Sequence, residues 1–203
     1  MKKLLVILLT ILAVSCATLS AQKMHFTMLG EVKDAEISGT PERYDLSFES
    51  LSYDKIYDYG IFMLDNKKTE QFISDMKELR EVYLSYVLTS KENNIESYQR
   101  EIGKSDFRVD VFFSIGKGYK GYRTRSKFTY KFNVGQFITG SSEIIYMLMI
   151  HTDRLISSGR STVVSDNHAL LFYNIEEIDE FIAMLENAPS KIVDNSELDE
   201  LFD

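Results

Sequence analysis

The chain of 203 residues has 31 acidic and 23 basic side chains, a formal net charge of −8 and one cysteine. A chain of this length can bury a core as one domain without metal or disulfide staples, and a single cysteine excludes an intramolecular disulfide. An acidic surface disfavours general nucleic-acid binding, which depends on neutralising phosphates. We therefore expect a self-sufficient fold and no nucleic-acid partner.

The N-terminus has the pattern of a secretory signal peptide. Lys2 and Lys3 form a basic region, residues 4–14 an apolar run, and residues 15–21 a region of mostly small side chains. The apolar run is shorter than the roughly 20 residues that a membrane-spanning helix needs. We expect residues 1–21 to be removed on export and residues 22–203 to form a single domain.

Two forms of the exported protein remain open. Cleavage after Ala21 would give a soluble protein, although Leu19 is unusual three residues before such a cut. Alternatively, Cys16 would be lipidated, with residues 13–15 as an imperfect lipobox. Both forms predict a location in the periplasm or outer cell envelope of a bacterium, with membrane attachment only if Cys16 carries a lipid.

The first part of the domain has the alternation of short strands. Tyr44, Leu46 and Phe48 alternate with polar residues behind a turn at residues 39–41, and residues 59–64 form a second, more apolar strand.

An amphipathic helix is expected over residues 66–90, with Asp65 or Asn66 as its N-cap. Its apolar side chains recur every three or four residues: Phe72, Ile73, Met76, Leu79, Tyr83 and Val87. Residues 91–105 are a polar connector whose structure the sequence leaves open.

Further strands and a second helix complete the predicted elements. The strands are expected at residues 107–115, 122–134, 143–150 and 163–173. The run IIYMLMI at residues 144–150 is apolar on both faces, which predicts a central strand. Asn174 is expected to cap a helix over residues 175–187, with Glu177 as its capping-box partner and Pro189 behind its end. Its buried stripe is Ile175, Ile178, Ile182 and Leu185.

The two strand-to-helix junctions resemble each other. Residues 62–76 align without gaps with residues 171–185, so that Asp65 falls on Asn174 and Phe72 on Phe181. The alignment predicts two repeats of meander plus helix, residues 24–90 and 106–188, in a two-layer α+β domain with antiparallel sheet and two main helices. The alternative is that any strand-to-helix junction shares this pattern.

Two segments carry a resemblance to a known group of proteins. KELREVYLSYVLTSKENNIESY and LLFYNIEEIDEFIAML resemble small secreted proteins of Bacteroidota, in which a helix ending in Lys-Glu-Asn-Asn lies between two β-rich parts. The resemblance covers about half of the processed chain. It implies export and this layout, and it assigns no activity and no functional residue.

Residues 116–132, GKGYKGYRTRSKFTYKF, concentrate basic and aromatic side chains in an acidic chain. Their glycines match G-x-G-x-x-G, but a strand follows them rather than a helix, so they predict a hairpin connection instead of a nucleotide site. Strand alternation should turn Phe128, Tyr130 and Phe132 into the core and the basic side chains outward.

The outward basic side chains allow three interpretations. One is a solvated strand face whose charges discourage edge pairing. Another is a weak electrostatic site for an anionic glycan or lipid headgroup, formed by Lys117, Lys120, Arg123, Arg125, Lys127 and Lys131. The third is a contact with the acidic tail, either within the molecule or in a partner.

No motif indicates catalysis. His25, His151 and His168 lack the spacing of metal ligands, and no nucleophile elbow occurs, so neither a metal nor another cofactor is expected. The sequence favours an exported, non-enzymatic binding or structural module. The alternative is an exported hydrolase with an active site assembled from distant loops. A pocket that joins His151 or His168 to a buried carboxylate would favour the hydrolase.

The acidic tail, residues 190–203, contains a candidate docking motif. Ser196 would cap a short helix with Leu198, Leu201 and Phe202 on one side. The alternatives are a helix folded back on its own domain and a frayed acidic end.

Overall fold

The computed structural model describes residues 21–40, 42–136, 143–159 and 163–192. The predictions about the signal peptide before residue 21, the lipidation of Cys16 and the tail from residue 193 onward lie outside the described residues.

The described chain alternates runs of strands with two helices. The strands are β1 Gln22–Met28, β2 Glu31–Thr40, β3 Arg43–Ser52, β4 Tyr59–Asp65, β5 Tyr98–Lys104, β6 Val109–Ser114, β7 Gly121–Ser126, β8 Phe128–Gly135, β9 Ile145–Thr152, β10 Leu155–Ile156, β11 Val164–Ser165 and β12 His168–Phe172. The helices are α1 Asn66–Glu92, between β4 and β5, and α2 Ile175–Asn187, followed by a 3₁₀ turn at Pro189–Lys191.

Ten of these strands form one curled, half-barrel sheet, and each described pairing is antiparallel. The order is β5-β8-β9-β12-β3-β4-β6-β7, with β2 also paired to β3 and β1 to β2; β10 and β11 form a separate small sheet. The predicted α+β class with antiparallel sheet and two helices is therefore confirmed.

The core is an aromatic cluster enclosed by the curled sheet and the two helices. Phe48 on β3 lies at its centre, with ring centroids 6.3 Å from Phe26, 5.9 Å from Phe62, 6.2 Å from Phe72 on α1 and 5.5 Å from Phe181 on α2. Each of these rings is almost completely buried. Full burial of one such ring contributes about 1.5–3 kcal/mol, so the cluster is a main source of stability.

Both helices begin where the sequence predicts. Asp65 caps α1 by accepting from the Lys68 amide at 2.9 Å, and Asn174 caps α2 by accepting from the Glu177 amide at 2.8 Å. Most of the predicted apolar stripes are buried, as are the predicted inward side chains of β3. These features follow from local rules, which is why the sequence predicts them well.

Glu177 departs from the expected capping box. Its carboxylate accepts from the amide of Tyr173, the residue before the cap, at 2.8 Å and from the amide of Gly30 at 2.7 Å. Gly30 and Leu29 form the turn between β1 and β2 with φ of 72° and 56°. The buried carboxylate thus joins that turn to the start of α2.

The strand expected over residues 122–134 is two strands, so that prediction is wrong. The chain leaves β7 at Ser126, passes through Lys127 and enters β8 at Phe128. β7 is the edge strand beside β6, whereas β8 lies between β5 and β9. Phe128, Tyr130 and Phe132 are buried as predicted.

Two other stretches differ from the expected elements. The polar connector, residues 91–105, contains the edge strand β5. The strand expected over residues 163–173 is interrupted and forms β11 and β12. The run at residues 144–150 is central as predicted, because β9 pairs with both β8 and β12.

Candidate functional site

The break at Lys127 divides the six basic residues of the predicted site between two parts of the sheet. Lys117 and Lys120 lie in the connection between β6 and β7, and Arg123 and Arg125 on β7. Lys131 lies on β8, which is separated from β7 by five other strands in the order of the sheet. The six side chains therefore do not line a single strand face.

Lys117 and Arg125 are already matched by carboxylates. The Lys117 ammonium lies 2.7 Å from both Asp34 and Glu49, and these hydrogen bonds raise the pKa of Lys117. Arg125 donates through Nε to Asp110 at 2.7 Å. Both charges are neutralised within the fold and are poorly suited to hold a separate anion.

Asp110 is shared between two cations. Lys68 Nζ lies 3.0 Å from its carboxylate, opposite the contact with Arg125. Burial alone would raise the pKa of Asp110, but the hydrogen bonds from Arg125 and Lys68 outweigh burial and lower it. Lys68, Asp110 and Arg125 thus form a matched set of opposite charges.

Lys120, Arg123 and Lys127 are exposed. Among the described residues none of the three forms an ion pair. No cleft brings these three side chains together in the part of the chain that the structure describes, so they are available only as separate surface charges.

Lys131 differs because it lines a cleft of about 320 Å³ on the outer face of the sheet, here named the Lys131 cleft. The carboxylate among the described residues of this cleft, Asp166, does not form an ion pair with the Lys131 ammonium. The cleft is lined by Tyr53, Lys131, Met149, His151, Asp166 and Asn167.

The register between β8 and β9 determines which side chains form two walls of the cleft. On β8, Lys131 points outward because its neighbours in sequence turn into the core, and it is paired with Met149 on β9. His151 lies two residues further along β9, between Thr129 and Ala169. The cation, the thioether and the imidazole therefore share one outer face.

Two loops close the cleft. Tyr53 follows β3, and Asp166 and Asn167 precede β12. The Tyr53 amide donates to the Asn167 carbonyl at 3.1 Å, and the Asp166 amide donates to Asp54 at 2.9 Å. These bonds hold together loops that are far apart in the sequence.

His151 is the most unusual group of the cleft. It is 6 % exposed, and its Nδ1 lies 2.8 Å from the Thr152 carbonyl oxygen, so Nδ1 carries the hydrogen and donates it. Nε2 is then a hydrogen-bond acceptor, and it is buried without a partner. Burial lowers the pKa of His151, which keeps the ring neutral near pH 7. An unsatisfied buried polar atom costs about 1–3 kcal/mol, which a suitable partner would recover.

His168 is buried in a different way. It is 0 % exposed, its Nδ1 lies 3.2 Å from Ser50 Oγ, and its Nε2 lies 3.4 Å and 3.3 Å from the hydroxyls of Ser52 and Ser165. Burial lowers the pKa of His168 to about 4. A Cβ on Gly60 would lie 2.0 Å from the ring, so this position requires glycine. His168 is a satisfied structural residue.

The described residues show no histidine joined to a buried carboxylate. His151 shares its cleft with Asp166, which is exposed, and the exposed His25 lies 3.2 Å from Asp34 on the surface. No group of three or more metal-ligating side chains is assembled in these parts of the chain. No described helix is long and apolar enough to cross a membrane.

No protein-family model, curated protein or solved structure matches this chain significantly. The candidate site therefore depends on geometry alone. Of its six residues, only Lys131 was among those predicted to bind an anion. The sequence marked His151 only as a histidine without the spacing of a metal ligand, and Tyr53, Met149, Asp166 and Asn167 carried no signal of a site.

Proposed function

We propose that the protein is an exported binding module that holds an anionic ligand in the Lys131 cleft. The observation that supports this most directly is an ammonium at the wall of a cleft that forms no ion pair with the described residues. A partly enclosed cation attracts an anion more strongly than a solvated one, because the surrounding protein screens less than water.

The lining supplies more than charge. Tyr53 and Met149 offer apolar surface, and Asn167 and Asp166 offer polar groups beside it. Small-ligand sites are typically concave and apolar with a few convergent polar groups, and a cleft of about 320 Å³ is the size of a small organic ligand. An anionic glycan unit or a lipid headgroup would fit this chemistry.

The hydrolase alternative has weaker support. His151 could act as a base through its free Nε2, but the described residues of the lining include no serine, threonine or cysteine as nucleophile. The Nδ1 of His151 is bound by a backbone carbonyl rather than by a carboxylate that would stabilise an imidazolium. We therefore favour a non-enzymatic binding or structural module.

Export rests on the N-terminal pattern and on the resemblance to secreted proteins of Bacteroidota. Intact mass of the protein from its native host tests it. Loss of residues 1–21 supports the soluble form, and a lipid on Cys16 supports an anchored form in the cell envelope. Retention of Met1 would contradict export in either form.

The two proposed repeats gain support from topology. The meander β2-β3-β4 leads directly into α1, and the meander β8-β9-β12 leads directly into α2. The aligned Phe72 and Phe181 pack against each other with ring centroids 6.0 Å apart. β6 and β7 are not part of either meander. We therefore place the start of the second repeat at β8 rather than at residue 106.

Titration of the purified protein with D-glucuronate, followed by amide NMR, tests the binding proposal. We expect shifts to centre on β8, β9 and the loops around Tyr53 and Asn167. Lys131→Met should remove them, because it deletes the charge and keeps the apolar stem. Lys127→Met, with the same change in net charge, should not.

Equal loss in both lysine variants would show that only the overall charge matters. Persistence of binding in Lys131→Met would place the ligand elsewhere. Both results would contradict the proposal.

A further inference from the structure

We infer that the ligand of the Lys131 cleft carries a hydroxyl group which donates a hydrogen bond to His151 Nε2, so that the ligand class is a hydroxylated acid such as a sugar acid. This inference rests on the proposed function and narrows it. It favours a glycan acid as the ligand over a plain carboxylate or a phosphate headgroup.

The first step is the direction of the hydrogen bond. Because His151 Nδ1 already donates to the Thr152 carbonyl, the neutral ring can only accept at Nε2. A carboxylate or phosphate oxygen without a hydrogen offers nothing to that acceptor. The partner must be a hydroxyl or an N–H group.

The second step is the position of the acceptor. The Nδ1 edge of the ring faces the backbone of its own strand, so Nε2 points away from the Thr152 carbonyl. His151 lines the cleft, is more than nine-tenths buried and leaves Nε2 without a partner. A ligand hydroxyl that reached Nε2 would make a hydrogen bond that the fold itself does not supply.

The third step is the mixture of charges. Lys131 donates and attracts negative charge, whereas Asp166 accepts hydrogen bonds and repels negative charge. A dianionic phosphate would meet this repulsion more strongly than a monoanion, and it has no hydrogen to donate to Asp166 or His151. A monoanion with several hydroxyls satisfies both groups, since its carboxylate can approach Lys131 while its hydroxyls donate to Asp166 and His151.

Asn133 provides a matched control. It lies on the same outer face of β8, opposite Met147, is 5 % exposed, and its Nδ2 is also buried without a partner. It does not line the Lys131 cleft. Replacement of Asn133 therefore removes a comparable unsatisfied atom from the same surface without touching the proposed ligand.

The experiment compares two carboxylates of similar size by NMR titration at one ionic strength. D-glucuronate carries hydroxyls, and cyclohexanecarboxylate carries none. We expect the wild type to bind D-glucuronate at least about tenfold more tightly than cyclohexanecarboxylate, because one additional buried hydrogen bond has an effect of about this size. His151→Phe should reduce that ratio to near one, and Asn133→Leu should leave it unchanged.

The outcomes separate this inference from the function on which it rests. Equal binding of both carboxylates by the wild type would overturn the hydroxyl contact and leave anion binding intact. Absence of binding by either compound would overturn both. A ratio unchanged in His151→Phe, or lowered equally by Asn133→Leu, would show that His151 is only structural.

Discussion

The outer faces of β7 and β8 carry basic side chains from one continuous stretch of sequence, yet they differ in how the charges are matched. Around β7, Arg125 and Lys117 are bound by Asp110, Asp34 and Glu49. On β8 and β9, Lys131 forms no ion pair with a described residue, and buried polar atoms remain unsatisfied. Under the proposed function, unmatched groups in a cleft, rather than the local abundance of charge, determine where a ligand binds.

The largest expected effect is a difference in unfolding free energy between variants on the inward faces of β8 and β7. Phe128 on β8 lies with its ring centroid 5.0 Å from both Phe62 and Phe72, whereas Tyr122 on the edge strand β7 is only partly buried. Phe128→Ala should cost about 3–5 kcal/mol of unfolding free energy. Tyr122→Ala should cost distinctly less in urea denaturation. Equal losses would contradict the assignment of β8 to the core and β7 to the edge.

A second effect comes from the pH dependence of stability. The pKa of His168 is about 4 in the fold and 6.5 ordinarily, so between these values the unfolded chain binds a proton that the folded chain excludes. Stability is therefore complete above pH 6.5 and falls as the pH drops towards 4. The expected loss between pH 7 and pH 5 is about 2 kcal/mol.

His168→Asn should flatten that slope in urea titrations at the two pH values. His151 contributes in the same direction, because burial also lowers its pKa. A slope unchanged by His168→Asn would mean that the buried ring is not responsible.

A smaller effect on stability should differ in sign between the Lys131 cleft and the charged face of β6 and β7. His151→Phe removes the unsatisfied Nε2 together with the Nδ1 donor of the Thr152 carbonyl, and because these changes oppose each other, stability should stay unchanged or rise by less than about 1 kcal/mol. Asp110→Ala leaves Arg125 without its carboxylate and Lys68 with Asp65 alone, and it should lower stability by less than about 1 kcal/mol, as is usual for surface pairs. Thermal unfolding measures both. A loss of more than about 1 kcal/mol in His151→Phe would contradict the cost assigned to the unpartnered Nε2.

The sequence predicts what local rules determine. The caps Asp65 and Asn174 precede periodic apolar residues, and the inward turn of Phe128 and Phe132 follows from alternation along one strand. The break at Lys127 has no such signal, because neither glycine nor proline marks it. β5 was missed because an edge strand with few buried residues has no apolar pattern.

The cleft could not be predicted because its residues meet only through long-range pairing. Lys131 reaches Met149 by the register of β8 and β9, and Tyr53 reaches Asn167 because β3 pairs with β12. A shift of one residue in either register would turn these side chains to the other face. The sequence could identify Lys131 as one of six candidate anion-binding residues, but it could not distinguish Lys131 from the other five.

The most direct test of the Lys131 cleft is the long-range ¹H–¹⁵N spectrum of the histidine rings near pH 7, with and without D-glucuronate. We predict that free His151 carries its hydrogen on Nδ1, and that its Nε2 resonance moves as the ligand binds while the rings of His168 and His25 do not respond. A protonated Nε2 in the free protein, or a ligand that leaves His151 unchanged and perturbs residues around Arg123 instead, would contradict the account.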